Sequence, residues 1–415
     1  MQSSLARVRK NYTELIIFLP LLSVYASGIP GFTVGDILLC VFFFYRIIIG
    51  LHNNSNIAIP QKMGPIVLLV IAIPLLSLLA MLGQENADIY SIMIRIVRRV
   101  FYYLSVVCVS SKWFDVDHGK KMIILVGKIG AIYLFIQYIA YYAGHIVLHG
   151  YFSFLPVYHE NYTQLDYQEL YQKMFRPTSF LLEPAHISRY LCIPLIFELF
   201  DKHENKKWLW ALVMSAAIIA STSGTGMICV GVIWGIWLLS NIASLGRTGV
   251  IRPRNVARIA FLVCVTFIFF RTDIVQSTIL RMMGSSLTDV NTAGGARFRG
   301  YLQYFQLPFF NLIVGKGYGS TPNTTLATWF SGASYILYGC GFIGFLICIY
   351  LFAKLFLNCN NIEQRVLCVV FFFLFFVDDC FMSHVSVLYF SFICIAKNQH
   401  KEQPRRAEKV EKVIV

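Results

Sequence analysis

The sequence predicts an all-α integral membrane protein, a single polytopic domain over 1–415 with about twelve transmembrane helices, about eleven to thirteen being compatible. Three observations predict it. Of the 415 residues, 57% are hydrophobic and only 13% charged, about half the charge a soluble domain carries, and the mean hydropathy is +0.64. Stretches such as GPIVLLVIAIPLLSLLAMLG (64–83) and 333–352 hold no charge over about twenty residues. The basic residues collect in alternate short loops.

A helix rises about 1.5 Å per residue and needs about twenty residues to cross a hydrocarbon core of about 30 Å. The first hydrophobic run, 15–30, follows Arg7, Arg9 and Lys10; it is not a cleavable signal in pattern, because a second run at 34–51 comes directly after it. Runs at 64–83, 91–111 and 122–149 lead into a long polar, aromatic-rich stretch over 150–186. Four more follow at 187–201, 208–222, 224–243 and 259–271. A second long polar stretch, 272–332, precedes the last runs at 333–353, 365–378 and 385–396, of which the final two suit either two helices or one broken helix. A basic tail, 397–415, closes the chain.

Orientation comes from charge. With the N-terminus inside, the inner loops hold Arg7, Arg9, Lys10, Lys62, Lys112, Lys120, Lys121, Lys202, Lys206, Lys207, Arg247, Arg252, Arg254, Arg258, Lys354 and Arg365. The tail adds Lys397, Lys401, Arg405, Arg406, Lys409 and Lys412, which brings the inner side to 22 of the 35 basic residues. The short outer connections near 30–34, 84–90, 221–225 and 379–384 hold none. Both termini are thus expected in the cytoplasm and both long stretches outside. The same distribution argues against a nucleic-acid partner, since the net charge of +14 is spread by topology rather than gathered on one face.

Other classes lose ground on motifs. No Cys/His spacing for zinc, P-loop or acidic divalent-cation cluster is present, and the large outer loops lack the DxD motif of metal-dependent sugar-nucleotide transferases, so neither a metal nor a cofactor is expected. Long loops carry function more often than short ones. These two also carry basic residues that outer loops usually avoid, among them Lys173, Arg176, Arg271, Arg281, Arg297, Arg299 and Lys316.

Three places could carry chemistry. In FRPTSFLLEPAHISRY (175–190), Glu183-Pro184 opens a helix and sets Glu183, His186 and Arg189 at i, i+3 and i+6. A carboxylate, an imidazole and a guanidinium at a helix N-terminus suit anion binding and proton transfer, or a simple capping cluster. The second place is a loop centred on Gly294–Gly300 with Arg297 and Arg299, followed by Gly315-Lys316-Gly317-Tyr318-Gly319. Its arginines fit phosphate oxygens bidentately, or anionic headgroups. The third is Arg95, Arg98 and Arg99 in the outer half of the fourth run, expected to face protein or a wet cavity because arginine is costly in lipid. Asp378, Asp379 and His384 mark the last outer turn, as a further acid–base group or a polar hairpin tip.

On these residues the chain resembles the O-antigen polymerase family of bacterial surface-polysaccharide assembly. The likeness rests on Arg176-Pro177-Thr178-Ser179-Phe180, Leu182-Glu183-Pro184-Ala185-His186, Gly295-Ala296-Arg297-Phe298-Arg299, Gly315–Gly319 and Gly332-Ala333-Ser334-Tyr335, and on the layout of spans and outer loops along the whole chain. Fifteen residues separate Arg299 from Gly315, like an arginine–glycine spacing in the second large loop of some members; no matching spacing starts at Arg176. The resemblance implies a GT-C-like, metal-independent glycosyltransferase in the bacterial inner membrane. Such an enzyme moves a growing O-antigen or capsule glycan from undecaprenyl diphosphate onto a new undecaprenyl-diphosphate-linked repeat unit. It implies Glu183 or His186 as general base, with Arg176, Arg297, Arg299, Arg98, Arg99 and Arg189 on diphosphate and Tyr318 nearby. A chain-length regulator and a flippase are the implied protein partners. An O-antigen ligase and, in a different class, a lipid-linked oligosaccharide flippase are the competing expectations.

Overall fold

The computed structural model describes residues 2–52, 59–82, 89–152, 154–158, 175–200, 208–248, 293–320 and 329–395, with Arg271 and Gln276 between them. The expected span 259–271 (Arg271 apart), 159–174 of the first large stretch with Lys173, most of 272–292 with Arg281, 321–328, and the tail 397–415 lie outside the described residues. The described chain is helical and contains no strand, only the isolated bridges Tyr25–Val157 and Ala26–Thr33.

In chain order the helices are α1 (Gln2–Leu22), α2 (Val34–His52), α3 (Gly64–Met81), α4 (Ile89–Ser105), α5 (Val116–Gly144), α6 (Pro184–Phe200), α7 (Trp208–Ala220) and α8 (Gly224–Thr248). Next come α9 (Ala293–Phe305), α10 (Phe309–Val314), α11 (Gly332–Leu357), α12 (Ile362–Val377) and α13 (Val385–Cys394). Among the described residues, five segments are long and apolar enough to cross a membrane: Val34–His52, Gln61–Met81, Val116–Gly144, Gly224–Ile242 and Gly332–Leu357. The chain is therefore a multi-pass, all-α membrane protein. Several other helices are short or charged: α4 carries three arginines, and α13 is ten residues long.

Some boundaries differ from expectation. The first helix spans Gln2–Leu22 rather than 15–30, because the charged start is itself helical and the chain then turns to bridge Val157 and Thr33. The fourth run continues past α4 through a π-helical turn, Val106–Ser110, to Trp113. α5 starts at Val116, where Asp115 caps it by accepting from the Asp117 and His118 amides, and stops at His145, whose φ of 52° is left-handed. The last two runs are two helices separated by the tight turn Cys380–Met382. Residues 293–305, expected as a loop, are helix α9; its two adjacent glycines cost helix propensity, and packing on α11 offsets that.

α6 is buried around nearly its whole circumference, among α5, α7, α8 and α12, the position of a helix apolar on every side. α11 packs on α3, α9, α10 and α12 and is broken at Gly341, with φ 67°. Lys316 and Gly317 donate their amides to the Tyr338 and Gly339 carbonyls at 2.8 and 2.9 Å, where the break frees them. Two glycines make this approach feasible: a Cβ on Gly315 would lie 2.3 Å from the Gly339 backbone, and one on Gly341 would lie 2.2 Å from the Ile313 carbonyl. The loop 315–319 is thereby tucked against the broken helix, a use of irregular backbone that membranes permit only inside protein.

Candidate functional site

Pro184 at the first position of α6 fixes the helix start, and the Glu183 carbonyl accepts from the His186 and Ile187 amides at 3.0 and 3.3 Å. Glu183 Oε2 lies 3.6 Å from His186 Nε2, both side chains being about a quarter exposed. One turn on, Arg189 is 2% exposed. Its Nη1 donates to Asp378 Oδ1 at 2.5 Å and also to Asp379 Oδ1. Asp378 is equally buried and accepts from the Cys380 amide (2.9 Å), whereas the Asp379 side chain is 55% exposed. Tyr389 Oη, on α13, donates to the Arg189 carbonyl at 2.8 Å and so ties α13 to α6.

The α4 arginines face protein, as their cost in lipid requires. Arg98 Nε is 2.9 Å from Tyr102 Oη and 3.3 Å from Asp36 Oδ2, while Tyr102 donates to Asp36 Oδ1 at 2.5 Å. The Tyr158 ring lies 5.5 Å from the Arg98 guanidinium. Arg99 donates from Nε to Tyr318 Oη (2.6 Å) and from Nη1 to the Phe381 carbonyl (3.1 Å), and Tyr318 donates to Met382 Sδ. Arg95 donates to the Gly319 carbonyl at 2.7 Å. The loop 315–319 and the 378–384 turn thus meet through Arg99.

Arg176 donates to Thr222 Oγ1 at 3.2 Å. Ser179 and Thr222 both have left-handed φ, 53° and 57°. Strain of this kind concentrates at functional sites. Tyr301 of α9 donates to the Phe376 carbonyl at 2.9 Å, which fixes α9 beside the end of α12. Arg297, one turn earlier, acts electrostatically on Asp378.

The charges are unequal in consequence. Desolvation, reinforced by Asp379, lifts the Glu183 carboxyl to about 7, against the pull of Arg189 and Arg176. Asp378 and Asp379 titrate as a pair: burial raises Asp378, while for Asp379 burial is outweighed by Arg189, which holds it below the usual carboxylate range. Desolvation and then Arg98 push His384 well below the usual imidazole range, so it is neutral. Burial raises the Tyr318 phenol although Arg99 opposes it, which keeps its proton on oxygen.

The predicted residues Arg98, Arg99, Arg176, Glu183, His186, Arg189, Arg297, Tyr318, Asp378, Asp379 and His384 therefore gather at one end of the bundle. Arg299 is carried to the same end by α9, next to Gly300, which lies against Ser334 of α11. Sequence reasoning passed over Asp36, Tyr102, Tyr158 and Thr222. Asp36 was readable as a lone carboxylate three residues into a hydrophobic run, a costly placement that calls for a cation; the partners of the hydroxyls were not. Among the described residues, no group of three or more His, Cys, Asp or Glu side chains could hold a metal ion. A carboxyl poised to exchange a proton thus stands in electrostatic reach of an ionised carboxylate, and Arg176, Arg189 and Arg297, from three segments, act on the cluster of carboxyl groups. The chain matches no known protein-family model, no curated protein and no solved structure.

Proposed function

We propose that this protein is a polysaccharide polymerase of the bacterial inner membrane, a glycosyltransferase joining undecaprenyl-diphosphate-linked repeat units of O-antigen or capsule outside the cytoplasm. The observation that carries the reading is Glu183: a part-exposed carboxyl near 7, at the start of a buried helix, with Arg176, Arg189 and the aspartate pair in electrostatic reach. On this reading a hydroxyl of the acceptor sugar attacks the anomeric carbon of the donor glycan. The new C–O bond forms as the bond to diphosphate breaks, and the proton passes to Glu183. The undecaprenyl diphosphate leaves with the bonding pair, and Arg297, Arg299, Arg98 and Arg99 stabilise its growing charge without rearrangement. His186 orients Glu183, and Tyr318 holds Arg99. Arg189, already engaged by two carboxylates, positions Asp379 rather than gripping phosphate.

The topology fits. α8 runs away from the site end and α9 resumes at it, which agrees with a further span at 259–271 and with twelve in all. The site end is then extracytoplasmic, both termini are cytoplasmic, and the architecture is GT-C-like. A chain-length regulator and a flippase are the partners proposed for this setting.

The test is reconstitution with undecaprenyl-diphosphate-linked repeat unit as the sole substrate, with chelator present throughout. A ladder of lipid-linked products supports polymerisation. Bond formation only after lipid A core is added would make the chain a ligase, and movement across vesicles without bond formation would make it a transporter. Loss of the ladder on chelation would remove the metal-free mechanism.

A further inference from the structure

One buried charge has no counterpart among the described residues. Arg46 of α2 is 7% exposed, and its Nε is buried without a hydrogen-bond partner. It lies ten residues, about 15 Å, along α2 from Asp36, in the half of the bundle away from the carboxylates. The buried arginines of the candidate site, Arg99 and Arg189, donate to phenol, carbonyl or carboxylate oxygens. For Arg46 the guanidinium sits 5.8 Å from the Trp113 ring centroid, with the Cys108 thiol in electrostatic reach and no carboxylate paired with it among the described residues. An arginine taken out of water costs several kcal/mol unless an anion compensates it.

The surroundings indicate which anion. Trp113 ends the chain's run before α5, at the level where Asp115 donates its amide to Thr13 and His118 meets Glu14 at 3.0 Å. That charged collar marks headgroup depth rather than the bilayer centre. Tyr45 packs 5.9 Å from Trp113, and Trp–Tyr pairs belong at this interface. Lys10 and Lys112 are exposed on the same collar. The outer face of α2, which exposes Val41, Phe44 and Ile48 to acyl chains, lies on the opposite side of the helix from Arg46, and exposed Tyr45 lies between the two. The π-helical turn Val106–Ser110 widens the neighbouring helix at this level and brings Cys108 within electrostatic reach of Arg46.

We propose that Arg46, backed by Trp113 and Tyr45, binds the phosphate of an anionic phospholipid in the leaflet at this end of the bundle, the cytoplasmic leaflet on the topology above. The guanidinium fork takes two phosphate oxygens, Lys10 and Lys112 add charge at the rim, and the acyl chains pass Tyr45 to reach the lipid-facing side of α2. Only the naming of the leaflet rests on the proposed function; the site does not.

The experiment is native mass spectrometry of the full chain in mild detergent, titrated with dioleoyl-phosphatidylglycerol or dioleoyl-phosphatidylcholine. The wild type is expected to prefer phosphatidylglycerol by about tenfold, and Arg46→Gln to abolish the preference. Arg46→Lys keeps charge without the fork and is expected to weaken it by about threefold or more. Should Arg46→Gln fail to fold, Arg46→Lys and Trp113→Leu carry the test. Equal binding of the two lipids by the wild type, an unchanged preference in the variants, or displacement of phosphatidylglycerol by excess inorganic phosphate overturns the proposal. The last outcome would mean a site for a soluble anion.

Discussion

The two ends of this bundle handle charge differently. At the end away from the site, cations and anions meet one to one between helices: Lys120 with Glu363 at 2.8 Å and Lys128 with Glu198 at 2.7 Å. At the site end the pairing is uneven. Arg189 is shared by two carboxylates, Arg99 is held by a phenol and a carbonyl, and Glu183 keeps a proton near neutrality. Closed pairs fix helices against each other. An unequal, partly exposed cluster stores charge that a substrate can complete, and the contrast separates scaffold from site before any activity is known.

The largest effect expected is at Arg189. Arg189→Gln leaves Asp378 buried beside an incomplete partner, and losing one member of a buried pair costs about 3–5 kcal/mol. Thermal unfolding in detergent reads it, and an unchanged midpoint would mean that Asp378 is protonated and indifferent to its neighbour. Next is Arg299, where shape is tested against charge. Arg299→Lys should lose activity nearly as far as Arg299→Ala, by about 10²-fold, if a diphosphate is bound bidentately. Full activity in the lysine variant would reduce Arg299 to a headgroup anchor.

What the sequence made legible was the residues that could meet, more than how they do. Glu183, His186 and Arg189 were readable because Pro184 fixes a helix start, and their spacing then follows from 3.6 residues per turn. Arg98 and Arg99 were readable because arginine inside a hydrophobic run must face protein. That Arg189 is engaged by Asp378 and Asp379 was not, since it depends on α6 lying against the end of α12, a contact about 190 residues apart in sequence. The helix at 293–305 was missed because Gly294-Gly295 reads locally as a loop, and only packing on α11 reverses it. The tucked loop 315–319 was half legible: three glycines announced unusual backbone, but the break at Gly341 that receives it carries no local signature.

Smaller effects sharpen the contrast. Tyr318→Phe removes the phenol that Arg99 donates to, for which about 1.5–3 kcal/mol is expected in stability; a drop in activity beyond that would show Arg99 reaching substrate. At the other end, Lys128→Met should destabilise by about 1–2 kcal/mol and Lys128→Met with Glu198→Met by less, with turnover unchanged in both. Lost turnover in the double variant at normal stability would join the two ends functionally and dissolve the distinction.

The account rests on Glu183 acting as a base in glycosyl transfer, and the most direct measurement is the initial rate of polymer formation against pH for the wild type and Glu183→Gln. A base whose pKa is raised to about 7 is inactive when protonated, so the wild-type rate should fall about tenfold per unit below pH 7 and level off above it. Glu183→Gln should be at least about 10²-fold slower and flat over the same range, with its unfolding midpoint unchanged. A near-normal rate in Glu183→Gln, or a wild-type profile without the fall below 7, would contradict the account and leave Glu183 as the cap of α6.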